Sequence, residues 1–547
     1  MGKNEIIGLV IIAIILMLTP LIQYKMMGKK EVSPKQAQPV VEEMDTAQAV
    51  IEEHPPVPAE SLFAILRDTT ASVKNIKVET ENYIAYFSTR GADITRFILK
   101  KYATGDRLVN LIHEDTIPTF PYNFRVASVP ISTRDIVFSC DIDSVSLAAG
   151  HSGSIRFSAN LPSGVRILRD FAFVSGSYDI IEKICVESDS LPISSGELLF
   201  ERVLYPTESG KRKALGYEAR YQLVGKASKV KPASPGKDRK VDIPAPVDWL
   251  ASSMKYFTVL VAPIKKDNVA SGNILATTDS VYFEGENIPL PKFVLAISVP
   301  STLNGFTAEH RLYLGPKDYF GLKEYKKGYE NLVSFGWGWL RPIALGFLWL
   351  FVKLFSVFHN YGLVLIVFSI ILKIVLLPTT HSSMRSARVM RELQPKLKEL
   401  QKKYKNDQTR LTQETLKLYK EHKASPTGGC LPILFQMPIF IALFGVLSNT
   451  VELRGQPFIF WIRDLSQKDP YYILPLVMSL TMFLTQKMTI TDPKQKMMAY
   501  VMPVVFFFMF SGMPSGLVLY WTTFNILSLG HQYLFERSYD KANASEK

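Results

Sequence analysis

The strongest constraint in this chain is a run of seventeen residues, Tyr361 to Leu377 (YGLVLIVFSIILKIVLL), whose single charge is Lys373. The run predicts a membrane-spanning helix. A charged side chain near the bilayer centre costs about 2.5–3.5 kcal/mol on insertion scales, so one that persists there usually has a task. Lys373 also lies four residues from the end of the run, about 6 Å along a helix, and a lysine stem can reach the headgroups from that depth. From this stretch alone, snorkelling and function are both open.

Further apolar runs surround it. Ile6 to Ile22 is flanked by Lys3, Lys25, Lys29 and Lys30, and without a small-x-small cleavage site it reads as an uncleaved anchor (1–24) rather than a signal peptide. Four more follow the central run, over 431–447, 471–487, 497–510 and 514–535. Together they predict a polytopic α-helical membrane protein with six transmembrane helices. A span needs about 20 apolar residues. The run over 497–510 offers fourteen and two others about seventeen, and short spans force the bilayer to thin or the helices to gather.

Between the anchor and the central run the pattern changes twice. Residues 25–72, rich in Pro, Glu, Gln and Ala, cannot build a core and read as a tether. Residues 73–317 then show short period-two runs of Val, Ile, Tyr and Phe such as IKVETENYIAYFST and YDIIEKICVES, which predict a large β-sandwich. Within it, the Lys/Gly/Pro-rich stretch from Tyr205 to Val247 reads as a long exposed loop. His113, His151 and His310 share no local motif with a carboxylate, which favours scattered structural histidines over a sugar-processing site. Cys140 and Cys185 lack metal spacing; a disulfide and two free thiols are both open. Residues 318–360, with Trp337, Trp339 and Trp349 among Arg341 and Lys353, read as amphipathic helices at the outer interface.

Charge orients the chain. Residues 341–547 carry 24 Lys+Arg against 12 Asp+Glu, almost the entire net charge of +13. Excess positive charge beside apolar runs is what cytoplasmic loops accumulate, and no nucleic-acid partner is needed. Residues 379–430 read as a basic helical hairpin on the cytoplasmic side. Alternation then puts both termini and the 488–496 loop inside, with the 536–547 tail, and puts the β region and the 448–470 loop outside. No Walker A, GxSxG or HExxH pattern occurs, so no enzyme, cofactor or metal is expected.

Several ungapped blocks carry a resemblance: SPTGGCLPILFQMPIFIALFGVL (Ser425 to Leu447), VELRGQPFIFWIRDLSQKDPYYILPLVM (Val451 to Met478) and PSGLVLYWTTFN (Pro514 to Asn525). In this order the chain, collinear from about Phe335 to Arg537, resembles the insertases of the YidC/Oxa/Alb family, in the Gram-negative form with a large periplasmic domain. The resemblance implies a five-helix core around a hydrophilic groove open to the cytoplasm, and a supersandwich-like β domain similar in fold to sugar mutarotases. It implies insertion and chaperoning of inner-membrane proteins in the bacterial inner membrane, independently of or together with the Sec translocase.

The family's groove cation falls on Lys373, where many members have arginine. A lysine keeps the charge and loses the bidentate fork. Further groove positions fall on Ser369, Gln436, Asn525, Tyr520 and Trp521, and a hydrophobic slide on Phe440, Met478 and Leu517. Nascent inner-membrane proteins and the lipid bilayer are the implied partners, with ribosome or targeting factors at the basic hairpin. The competing expectation is a solute transporter or channel with an intramembrane anion site, which predicts internal repeats that the sequence does not display.

Overall fold

A computed structural model describes residues 72–545, apart from 114–117, 128, 209–215, 235, 265–270, 423–430 and 490–492. The anchor over 1–24 and nearly all of the tether lie outside the described residues.

From Asn75–Glu79 (β1) to Gly305–Pro316 (β19), the described residues form nineteen strands in sheets of five, eight and six strands. The pairing is antiparallel except where β1 meets Ser144–Ser146 (β7) in parallel. Alternation builds the core directly. In Val165–Val174 (β9), Val165, Ile167, Phe171 and Phe173 turn inward and are buried, while Arg166, Leu168, Asp170 and Ala172 between them turn outward. Burying each such side chain contributes roughly 1.5–3 kcal/mol.

One charged residue follows the inward register. Arg169 is fully buried, donates Nε to Glu182 at 2.9 Å, and gives its remaining donors to Gly91 O at 2.7 Å and Phe120 O at 3.0 Å. The Tyr122 hydroxyl lies 3.3 Å from Glu182 and 2.8 Å from His310 Nδ1. Burial beside the Arg169 guanidinium holds the His310 imidazolium down to about 3, so His310 is a neutral core residue. His113 stacks on Tyr205 and His151 lies in an exposed turn. Cys140 and Cys185 are both free thiols.

The stretch from Tyr205 to Val247 is not one exposed loop, as its composition suggests. Glu218–Leu223 (β12) and Lys226–Val230 (β13) form a hairpin, and Arg239–Ile243 (β14) pairs with Gly272–Phe283 (β17). The connection Val224-Gly225 has positive φ at both residues (48° and 77°), the geometry of a tight type I′ hairpin. Strands β13 and β14 are sheet edges. Lysines and other charges on an edge block pairing with another chain, and they also hide the apolar alternation by which a central strand is recognised.

Ten helices follow among the described residues. Tyr319–Glu324 (α1) is capped by Asp318, and Arg341–Phe358 (α2) ends at His359 in the left-handed region. Asn360 then caps Tyr361–Val375 (α3), accepting from Gly362 N at 2.9 Å and Leu363 N at 3.1 Å. Pro378, in the first turn of Leu377–Glu392 (α4), ends the ladder of α3 because it has no N–H, and the axis bends by 61°. Gln394–Lys403 (α5) and Gln408–Glu421 (α6) fold together on a small apolar cluster around Leu393, Leu397 and Leu418. Leu431–Asn449 (α7), Ile473–Thr489 (α8), Pro493–Phe510 (α9) and Ser515–Ser545 (α10) complete the set.

Length alone does not make six spans. Among the described residues only Gly338–Phe358, essentially α2, is long and apolar enough by itself, and α3 qualifies only together with α4 across their bend. Gln436–Asn449, Ile473–Met488 and Tyr500–Phe510 are shorter apolar helices. The segment whose tryptophans suggest an interface is therefore the one with the length of a span. The short helices gather instead: α3, α7, α8 and α10 share one core with α2. Gly445 lets α7 approach the backbone at Phe335 so closely that a Cβ would lie 2.4 Å from its carbonyl oxygen.

That core is joined to the β region through the 450–472 connection. Arg454 donates Nε to Glu208 at 2.8 Å, Nη1 to Ala103 O at 2.8 Å, and Nη2 to Thr104 Oγ1 at 2.6 Å and Thr207 O at 2.8 Å. Beside it, Glu452 is held by Asp318; burial and that second carboxyl push Glu452 up to about 7.

Candidate functional site

Helix α3 turns Val364, Leu365, Phe368, Ser369, Leu372 and Lys373 into the bundle and Ile370, Ile374 and Val375 outward. This 3.6-residue register places Lys373 against α10, four residues after Ser369. Its side chain is only 5% exposed. The ammonium donates to Ser528 Oγ at 2.9 Å and lies 5.2 Å from the Phe524 ring centroid. Ser528 spends its own proton on Phe524 O at 2.8 Å, so its oxygen is left to accept from Lys373. Among the described residues no carboxylate pairs with Lys373.

The other polar positions divide into two groups. Ser369 donates to Leu365 O at 2.7 Å, and Thr523 back-bonds to Leu519 O at 2.8 Å. These hydroxyls are satisfied within their helices. Gln436 on α7 donates to the Tyr520 hydroxyl at 2.8 Å, joining α7 to α10 one turn from Ser369, which lies 3.4 Å from Tyr520 O. Asn525 differs: its Nδ2 is buried without a hydrogen-bond partner among the described residues. Ser369, Tyr520 and Gln436 are thus linked across α3, α10 and α7, while Lys373, one turn beyond Ser369, bonds to Ser528, three residues after Asn525 on α10.

Trp521 faces a separate aromatic cluster. Its ring meets Phe440 edge-on at 4.9 Å and Phe510 at 5.6 Å. Of the three slide positions, only Phe440 is partly exposed. Met478 and Leu517 are fully buried in the shared core, so their side chains cannot present an apolar face to lipid. The outward apolar face is carried by Leu476, Leu480 and Leu484 of α8 and by Val501, Val504, Val505 and Phe508 of α9.

The structure also brings in residues that the apolar runs did not single out. Ser528 and His531 continue the Asn525 face of α10 at three-residue spacing, and His531 Nδ1 is likewise buried without a partner among the described residues. His381 of α4 stacks on His531 at 6.1 Å. The signal was present in sequence as the polar repeat 525, 528, 531, but these residues are dispersed among Ile526, Leu527, Leu529, Leu534 and Phe535 of the last apolar stretch.

Comparison with known proteins identifies relatives along nearly the whole length. A family model described as 60Kd inner membrane protein matches residues 353–542, and one described as YidC periplasmic domain matches residues 75–350. A membrane protein insertase YidC of Syntrophus aciditrophicus is 36% identical over 493 residues, covering 87% of this chain and 88% of its own. That of Geotalea uraniireducens is 33% identical over 546 residues, covering 97% and 99%. A crystal structure of an active YidC insertase with its first transmembrane domain resolved matches 85% of this chain and 93% of its own at 18% identity, with a TM-score of 0.37.

Proposed function

The chain belongs to the YidC family of membrane protein insertases, and on that premise we propose that its inner-membrane clients are received at Lys373. Membership in the family decides between insertase and solute transporter. Clients are nascent membrane proteins and the medium is the lipid bilayer; the site, the topology and the further partners are our own reading.

In this reading the chain spans the inner membrane six times, with 6–22 and helices α3, α7, α8, α9 and α10 crossing and α2 lying at the periplasmic interface. Both termini and the α5–α6 hairpin are cytoplasmic. The contact of the 450–472 connection with the β region supports a shared, periplasmic side for both. The short helices thin the bilayer around the core, which lowers the barrier for a polar client tail.

The observation that carries the site is the enclosed Lys373 ammonium, held by a hydroxyl and by no carboxylate among the described residues. A client tail bearing Asp or Glu replaces Ser528 as acceptor in an environment where the attraction is stronger than in water. Its apolar helix partitions along the outward faces of α8 and α9, gaining about 1.5–3 kcal/mol per large side chain. That gain drives insertion without nucleotide hydrolysis or any other enzymatic step. The basic hairpin offers a surface to ribosomes or targeting factors, and the chain works independently of or together with the Sec translocase.

Substituting Lys373 by Arg, Ala and Glu in cells depleted of their own insertase tests this. Arg is expected to support growth and insertion of a short test protein, and Glu to fail. Ala and Glu both behaving as Lys for every client would contradict carboxylate capture.

A further inference from the structure

The structure assigns His531, positioned by His381, a second step of carboxylate reception: we infer that a client carboxylate is held between the Lys373 ammonium and the His531 imidazole, with Asn525 donating from the same helix face. The inference rests on the reading of Lys373 as the receiving cation and adds the residues that make one charge into a site.

Three observations support it independently of the family. First, hydrogen-bonding capacity is left unmet here. Asn525 Nδ2 and His531 Nδ1 are both buried without a partner among the described residues, and Lys373 uses one acceptor at 2.9 Å where an ammonium can serve three. A buried donor left unmade costs about 1–3 kcal/mol, so two unmet groups beside an underused ammonium point to an acceptor that arrives from elsewhere. Second, the groups share one face of α10. Residues 525, 528 and 531 follow at intervals of three, about 4.5 Å of rise each and about 9 Å in all, so that Ser528, which accepts from Lys373, has Asn525 one turn before it and His531 one turn after it. Lys373 and His381 both lie within electrostatic range of His531.

Third, the nearby carboxylates are already engaged. Glu536, one turn beyond on α10, pairs with Arg388 and with Arg391, the latter at 3.2 Å, and Glu392 lies 3.4 Å from Arg388. The two Glu536 pairs tie α4 to α10, and none of the three supplies an anion to Lys373 or His531. The imidazole is held in place by stacking on His381, whose ring meets Phe535 edge-on at 5.0 Å. In its Nδ1–H tautomer His531 donates toward the shared face. With the carboxyl end of α10 in the cytoplasm, an incoming tail meets His531 before Lys373.

The test uses the full chain in cells depleted of their own insertase. Its client is a single-span protein whose short translocated tail carries either one Asp or one Asn, and insertion is read by protease protection of that tail. His531→Gln is expected to lower insertion of the Asp client about three- to tenfold and to leave the Asn client unchanged. His531→Arg is expected to retain the Asp client. A variant that merely disturbs packing lowers both clients equally; that result, or no effect on either, overturns the inference. Should His531→Gln fail to accumulate, Asn525→Ala is read the same way, with the same outcomes for and against. Lys373→Met is run in parallel. If it too shows no difference between Asp and Asn clients, the reading of Lys373 falls; if it shows the difference and His531→Gln does not, only the present inference falls.

Discussion

Two buried cations sit in contrasting surroundings. Arg454, between the β region and the helical core, has Glu208 at 2.8 Å and three further oxygens for its remaining donors. Lys373, inside the core, has one hydroxyl. Taking either charge out of water costs several kcal/mol, and only paired, fully bonded geometry offsets that cost. Arg454 therefore holds two parts of the molecule together, whereas the Lys373 charge has no ion pair among the described residues to offset its burial. In the proposed reading the partner of this charge is the carboxylate of a passing client.

The contrast yields an ordered series of tests. The largest effect is expected inside the β region: Arg169→Met strands Glu182 in the core and should cost about 3–5 kcal/mol, visible as lost amide protection in β9 and its neighbour Asp179–Ser188. Next, Arg454→Ala should cost about 3 kcal/mol by the same reasoning. The loss should be concentrated in faster hydrogen exchange and proteolysis of residues 450–472, and an unchanged exchange rate would remove the contrast.

Acidity offers a gentler probe of the same junction. Glu452 is raised from 4.5 to about 7 by burial and by Asp318, with Tyr102 and Tyr361 also near it. Its folded form thus holds a proton that the unfolded form releases near 4.5. Its contribution is fully present below pH 4.5, declines as pH rises, and is gone above about 7; at 1.36 kcal/mol per unit the loss is at most about 3 kcal/mol. Protection at 450–472, with exchange corrected for its intrinsic rise with pH, should accordingly fall between pH 5 and pH 8, and Glu452→Gln should flatten that profile. The smallest effect on folding is expected at Lys373. Replacement by Met should leave the unfolding midpoint of the purified chain unchanged or raise it by the equivalent of about 1 kcal/mol, even as insertion is lost.

How much of this was legible in sequence follows from the physics of each part. Period-two alternation announced the β region because a strand with one buried face writes that pattern locally. The sheet order was not legible: Asp179–Ser188 pairs with β19 across more than a hundred residues, and no local signal encodes a non-local register. Strands β13 and β14 were missed because edge strands carry lysine where central ones carry valine. Lys373 was conspicuous because a charge in an apolar run has no cheap explanation. The burial of Met478 and Leu517 was not legible, since in a membrane helix the face toward protein and the face toward lipid are equally apolar. His531 was hidden because a neutral imidazole among Leu529, Tyr533, Leu534 and Phe535 carries no charge to interrupt the apolar run.

The central claim is that the charge of Lys373 serves clients and not the fold. Its most direct test is the ratio of insertion yields for one client carrying an acidic or a neutral translocated tail, compared between the unaltered chain and Lys373→Met at equal protein level. The account predicts that the acidic-to-neutral ratio falls about tenfold, equivalent to about 1.4 kcal/mol of lost attraction. An unchanged ratio, with both yields reduced together, would mean that Lys373 maintains the helical core and that carboxylate reception lies elsewhere.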